Sequence, residues 1–255
     1  MNLYEAIRNR RSVRFYKNIQ VSQELLHGLL MYAGRIMPLA DNIKTEFVFL
    51  NTGEKEEKIK GMFQVHSPHV LVLYSEEKPG WAENAGYMME QMVLYMAAKG
   101  IGSCYMGAAK AELSEKEGMR QAVLLAFGYA GKALYREQGQ VKRQGLAKLC
   151  VYPEGKNISP DIAAILQAAR LAPSSFNSQP WRFVVCHDRI HVFVCHSRIG
   201  LPESARLSGI NMGIVLSHIM LAAEEQWVTA DIKKEDGLSE KVYKKGKYLC
   251  TVILK

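Results

Sequence analysis

The chain has few of the features that would mark an exported, membrane-bound or disulfide-stapled protein. Its 255 residues hold five cysteines, an odd count with no Cys-x-x-Cys spacing, which fits a reducing compartment and excludes a disulfide scaffold. No apolar core follows Met1-Asn2-Leu3-Tyr4-Glu5, so no export signal is read and a cytoplasmic location is expected. The longest nearly apolar stretch, residues 210–223, carries Asn211, Ser217 and His218 and falls short of the ~18 to 20 residues of a membrane span. No GxSxG elbow surrounds Ser174 or Ser175, and no carboxylate pair stands out. The glycines of residues 100–107 follow GxGxxxxG after a helix, not GxGxxG after a strand, which excludes the dinucleotide-binding fingerprint. Acidic residues are also in deficit: 25 Asp and Glu against 33 Lys and Arg leave a formal charge of +8. Such an excess attracts nucleic acid, acidic lipid or a phosphate-bearing cofactor. Without interleaved aromatics or a nucleic-acid module, neither nucleic acid nor membrane is expected as a partner.

What is present is an ordinary globular composition, 48% hydrophobic and 23% charged. Asn2 and Glu5 make a capping box for a first helix that should stop near Arg11, and Ser22 caps a second. Residues 46–51 and 69–75 read as strands, and 82–99 as a Met-rich helix stopped by Gly100. A second capping signature, Ser114 with Glu117, predicts a short helix before Gly118, and residues 122–129 a buried strand. Residues 135–156 read as a linker. Beyond them, Ser159 and Pro160 open a helix to about Leu171. Residues 184–186 and 191–196 form a strand pair, 209–223 an apolar helix, and 248–254 a last strand.

The order repeats. Arg35-x-x-Pro38-x-x-x-Asn42 matches Arg170-x-x-Pro173-x-x-x-Asn177, and His69-Val-x-Val-x-x-Ser75 matches His191-Val-x-Val-x-x-Ser197. The pairs Ala97-Ala98 and Ala222-Ala223 close the two apolar helices. The expectation is an α+β chain of two related α/β halves, residues 1–150 and 151–255, packed as an intramolecular pseudo-dimer.

Two segments carry candidate chemistry. Arg10-Arg11-Ser12-Val13-Arg14 offers guanidinium forks and a hydroxyl suited to a phosphate, or else it is a solvated basic segment. Pro173-Ser174-Ser175-Phe176-Asn177-Ser178-Gln179-Pro180-Trp181 is a stiff loop that could hydrogen-bond a polar heterocycle, or an ordinary turn. Cys186, His187, His191, Cys195 and His196 suggest a metal only superficially, because strand alternation turns His191 and Cys195 away from His196, and no metal is expected. Cys104 has no nearby activating group and is not read as a nucleophile.

Together these segments resemble the nitroreductase family of FMN-dependent oxidoreductases. The carriers are Ala6-Ile7-Arg8-Asn9-Arg10-Arg11-Ser12-Val13-Arg14-Phe15 and residues 169–181, joined by Gly100-Ile-Gly-Ser-Cys-Tyr-Met-Gly107 and Leu125-Ala-Phe-Gly-Tyr129. Family members are normally homodimers whose subunits both contribute to each flavin site. Here the first half has Leu39 and Ala40 in place of the serine pair, the second lacks the arginine-rich helix, and Glu225-Gln226-Trp227 stands where Gly100-Ile101-Gly102 stood. The chain therefore resembles the single-chain, pseudo-dimeric branch, which implies one FMN per chain.

By that resemblance Arg10, Arg11, Ser12 and Arg14 bind the FMN phosphate and ribityl chain, helped by Lys142 or Arg143. Pro173, Ser174, Ser175 and Asn177 line the isoalloxazine ring, Tyr105, Met106 and Gly107 border it, and Gln179 and Trp181 hold the loop. The implied activity is ping-pong hydride transfer from NADH or NADPH through flavin N5 to a small nitro, quinone or related acceptor, with no catalytic side chain required. Loops 76–83 and 132–144 are the expected seats of substrate choice. A monomer is the default assembly, with a homodimer open. The alternatives are a flavin-binding or interaction protein without catalysis.

Overall fold

The computed structural model describes residues 1–52, 58–113, 116–137, 141–155, 157–195 and 203–255. It divides into two compact units, Met1–Gln140 and Val141–Lys255. The division falls ten residues before the expected 150/151, because residues 141–150 are built into the second unit rather than left as a spacer.

The first unit opens with α1 (Leu3–Asn9), whose capping box is formed: the Asn2 side chain accepts from the Glu5 amide, and the Glu5 carboxylate accepts from the Asn2 amide. Ser22 caps α2 (Gln23–Ala33), its side chain accepting from the Leu25 amide. The strands are β1 (Thr45–Asn51), β2 (Ile59–Gly61), β3 (His69–Ser75), β4 (Gly102–Tyr105), β5 (Ala109–Ala111) and β6 (Arg120–Gly128). Four of them form an antiparallel sheet in the order β1-β3-β6-β4, and β2 and β5 pair separately. Every residue of β3 is buried, so its sequence is a continuous apolar run with no alternation. The Met-rich helix α3 (Trp81–Ala98) packs against α1, α2 and the sheet, which is why it is apolar nearly all round.

The second unit contains α4 (Leu146–Leu149), β7 (Cys150–Val151), α5 (Pro160–Leu171), β8 (Trp181–Val185), β9 (Arg189–Cys195), α6 (Ser204–Glu225), β10 (Ala230–Lys233), β11 (Val242–Tyr243) and β12 (Gly246–Leu254). Its sheet runs β10-β12-β9-β8-β7, with β11 folded back on β12. Leaving out β7 and β11, the order β8-β9-β12-β10 is that of β1-β3-β6-β4, element for element. At 22 residues, α6 is longer than the expected 209–223 and is long and apolar enough to cross a membrane. However, 78% of its most apolar window is buried inside the protein, and it packs against α5 and β10.

The two long helices end identically. In α3 the amides of Gly100 and Ile101 reach back to Ala97 and Met96; in α6 those of Trp227 and Val228 reach back to Glu224 and Ala223. Gly100 (φ 80) and Trp227 (φ 58) both sit in the left-handed region after the helix. Trp227 is therefore the counterpart of Gly100, two places off the match made on the alanine pairs, and Met96 answers to Ala223. The shift also aligns Asn84-Ala85-Gly86 with Asn211-Met212-Gly213.

Two other expectations change. The residues described after Ser114 and Glu115, which lie outside the described residues, form a turn closed by a bridge between Lys116 and Met119 around Gly118 (φ 70), not a helix. The expected linker, residues 135–156, holds α4 and β7, and β7 joins the sheet parallel to β8. Residues 138–140 and Lys156 of that stretch lie outside the described residues, as do His196 and Ser197 of the second repeat.

Candidate functional site

In the first unit, residues 10–14 leave α1 in an extended arm laid against β4. Ser12 bridges Ser103, and the Val13 amide donates to the Ser103 carbonyl at 2.9 Å. The close approach requires Gly102: a Cβ there would lie 2.7 Å from a methyl of buried Val13. Arg10 is only 4% exposed, and its Nη2 donates weakly to Ser12 Oγ at 3.4 Å, while its Nε is buried without a partner. Arg136 fixes the arm from behind, donating to the carbonyls of Arg10 and Ile7. Arg11 and Arg14 are exposed.

Tyr105 donates to Glu90 Oε2 at 2.7 Å, and Glu90 is wholly buried in α3. Burial and the adjacent carboxylate hold the Tyr105 phenol well above its ordinary range. Burial likewise raises the Cys104 thiol against the opposing pull of Arg14 and Arg10, which makes it a poor nucleophile. Met106 lies in the hydrophobic core with Val72 and Leu124, its sulfur accepting from the Val65 amide, so its side chain cannot border a ligand. Gly107 lies in the turn between β4 and β5.

In the second unit, α5 ends at Ala172 and the chain turns through a short 3-10 segment, Ser175–Asn177. Phe176 (φ 55), Asn177 (φ 54) and Gln179 (φ 49) are all left-handed, which costs a residue with a Cβ about 1–2 kcal/mol each. Polar contacts hold this shape. Asn211 Oδ1, on α6, accepts from the Ser175 amide at 2.9 Å and from its hydroxyl at 3.3 Å. Ser174 Oγ accepts from the Gln179 amide at 3.0 Å, and buried Gln179 accepts from the Gln144 amide at 2.7 Å. Pro173 and Trp181 are buried, Ser174 and Ser175 partly so, and Asn177 is exposed.

The structure thus groups Arg10, Arg11, Ser12 and Arg14 with Tyr105, Met106 and Gly107 in the first unit, and Lys142 and Arg143 with Pro173, Ser174, Ser175 and Asn177 in the second. Asn177 Nδ2 donates to the Lys142 carbonyl, and Arg143 donates to Asn177 Oδ1. The sequence reading missed Asn211 and Glu90, polar residues inside apolar helices. The Asn-x-Gly spacing shared by α3 and α6 was the available signal for Asn211.

A model of the family described as "Putative TM nitroreductase" matches residues 2–223. A solved structure described as a putative nitroreductase of Thermotoga maritima has a TM-score of 0.62 at 22% identity, covering 100% of this chain and 93% of its own. A nitroreductase with bound FMN from Bacteroides fragilis has a TM-score of 0.41 at 17% identity over 57% of this chain and 100% of its own. A relative from Archaeoglobus fulgidus, named "Putative NADH dehydrogenase/NAD(P)H nitroreductase", is 51% identical over 39 residues, 15% of this chain and 22% of that relative's length. With the family model matching residues 2–223 and the T. maritima structure sharing the fold, the chain belongs to the TM nitroreductase family.

Proposed function

We propose that the chain is an FMN-dependent oxidoreductase that draws on NADH or NADPH and reduces a small nitro, quinone or related acceptor, one FMN per chain. The observation that carries this reading is Arg10, a guanidinium almost fully removed from water whose Nε has no partner. A buried cation is costly unless an anion meets it. The Ser12 hydroxyl beside it and the exposed Arg14 complete a donor set that fits a phosphate. In the second unit, the Ser174 and Ser175 hydroxyls and the Asn177 amide are partly or fully exposed and suit the polar edge of a flavin ring. When bound, FMN supplies the two-electron chemistry. The chain's own residues bind and orient, and no side chain is required to carry a proton.

The identical strand order and the matched ends of α3 and α6 support an internal duplication, with a serine loop in one half and an arginine arm in the other. None of the five cysteines is in a disulfide, which suits a reducing cytoplasm. The test is the visible spectrum of freshly purified protein, with the released cofactor identified by mass and NADH and NADPH oxidation assayed with a quinone. One FMN per chain with turnover is expected. Protein that neither carries FMN nor takes it up would overturn the reading, and FMN without turnover would leave a flavin-binding protein.

A further inference from the structure

Of the second phosphate anchor expected at Lys142 or Arg143, the Arg143 guanidinium is engaged otherwise. Four hydrogen bonds engage the Arg143 guanidinium: Nε to the Ala172 carbonyl at 3.1 Å, Nη2 to Leu171 at 3.4 Å, and Nη1 to both Lys142 at 3.2 Å and Asn177 Oδ1 at 2.9 Å. A guanidinium has five N–H groups in a fixed fork, so this set accounts for most of its capacity. Two of the acceptors are orphan carbonyls at the C-terminus of α5, where a cation is favoured by both hydrogen bonding and the helix dipole. His218 serves the same helix end from α6, its Nδ1 lying 2.9 Å from the Ala168 carbonyl.

We propose that Arg143 is a positioning residue, clasping the end of α5 and Asn177 so that residues 173–179 stay in the shape that presents Ser174 and Ser175, and that it is not a phosphate ligand. Three left-handed residues with side chains, Phe176, Asn177 and Gln179, persist only where the surroundings over-determine them. Arg143 provides that constraint from one side, and Asn211 from the other. The adjoining segment closes the clasp: the Gln144 amide donates to Gln179, and Arg170 Nε donates to the Gln144 carbonyl. The effect on flavin rests on the proposed function; the clasp itself does not.

Arg143→Lys separates the two roles. A lysine keeps the charge and remains a good phosphate partner, but it has no fork to span several carbonyls. In flavin-free protein, hydrogen exchange over residues 173–179 should quicken at least about tenfold in Arg143→Lys and stay unchanged in Lys142→Ala. Exchange unaltered in Arg143→Lys overturns the clasp. Titration with FMN and with riboflavin, which lacks the phosphate, gives a second readout. Both affinities should fall by the same factor, whereas a loss confined to FMN would make Arg143 a phosphate ligand and overturn the proposal. If Arg143→Lys does not fold, Asn177→Ala removes one acceptor of the clasp and should raise loop exchange by a smaller factor, about threefold; no rise overturns the proposal. A wild-type protein that binds neither flavin would sink the proposed function, and the exchange result would then decide the clasp alone.

Discussion

After α2 the first unit has Pro38-Leu39-Ala40, and after α5 the second has Pro173-Ser174-Ser175. Each loop is pinned to a buried asparagine on the long helix of its unit. Asn84 Oδ1 accepts from the Leu39 and Ala40 amides at 2.7 and 3.1 Å; Asn211 Oδ1 accepts from the Ser175 amide at 2.9 Å. The anchor is therefore a property of the fold, present in both units. The hydroxyls and the clasp of Arg143, Asn177 and Gln179 occur on the second loop. Among the described residues, the first loop keeps Asn84, a weak contact of Gln91 to the Met37 carbonyl at 3.4 Å, a bond from Lys78 Nζ to the Asn42 carbonyl at 2.9 Å, and a local turn at Ile43. Under the proposed function, the loop that meets the ligand is the one whose left-handed residues are held by a guanidinium fork as well as by the helix asparagine.

The comparison can be broken first at the asparagines. Asn84→Leu strands the part-buried amides of Leu39 and Ala40 and Asn211→Leu that of Ser175, and urea unfolding should show about 2 kcal/mol lost in either case. Under the proposed function, Asn211→Leu also weakens FMN binding while Asn84→Leu does not, and equal losses in the two variants would dissolve the distinction. Giving the second loop the first loop's side chains, Ser174→Leu with Ser175→Ala, should weaken FMN about tenfold by fluorescence titration, with about 1 kcal/mol of stability lost with the Ser174 acceptor.

A finer test uses the helix ends. Trp227, 96% exposed and left-handed, should become about 0.5–1 kcal/mol more stabilising as Trp227→Gly, while Gly100→Ala should cost about 1 kcal/mol by thermal melting. If both substitutions moved stability in the same direction, the two positions would not be equivalent. The smallest effect concerns His191, hydrogen-bonded to Thr251 at 2.8 Å, whose burial lowers its pKa from the ordinary 6.5. The unfolded chain then takes up its proton first as pH falls. The contribution of neutral His191 is complete above 6.5 and is lost as pH falls from there through the lower folded value. Stability measured across that window should slope upward with pH, and His191→Gln should flatten the slope.

Much of the fold was legible because its signals are local. Asn2, Ser22 and Ser159 cap their helices within three residues, and the buried strands β3 and β6 are plain apolar runs. The signature at Ser114 misled because the Gly118 turn overrides it. The strands β2 and β5, three residues each, exist only because they find each other across the chain. Gly102 stood in the sequence only as one glycine of a GxGxxxxG run, whereas it is a strand residue on which Val13 sits. In the candidate site, the arm and the serine loop were visible as composition. Arg143 was named there as a phosphate partner, but its clasp was not legible, since its acceptors Leu171, Ala172 and Asn177 lie 28 to 34 residues away and carbonyls leave no trace in a sequence.

The short strand β7 follows directly on the segment that carries Arg143, and it pairs Cys150 and Val151 with Phe183 and Val184. The opposite margin of that sheet, β10, ends in Lys233 followed by Lys234, charges that discourage another chain from adding on. β8 has a single charge, Arg182, followed by Phe183, Val184 and Val185 in a row. β7 therefore covers the backbone of β8 at Phe183 and Val184, and a nick within residues 141–149 that freed it would expose those amides and carbonyls while also releasing the arginine that shapes the loop.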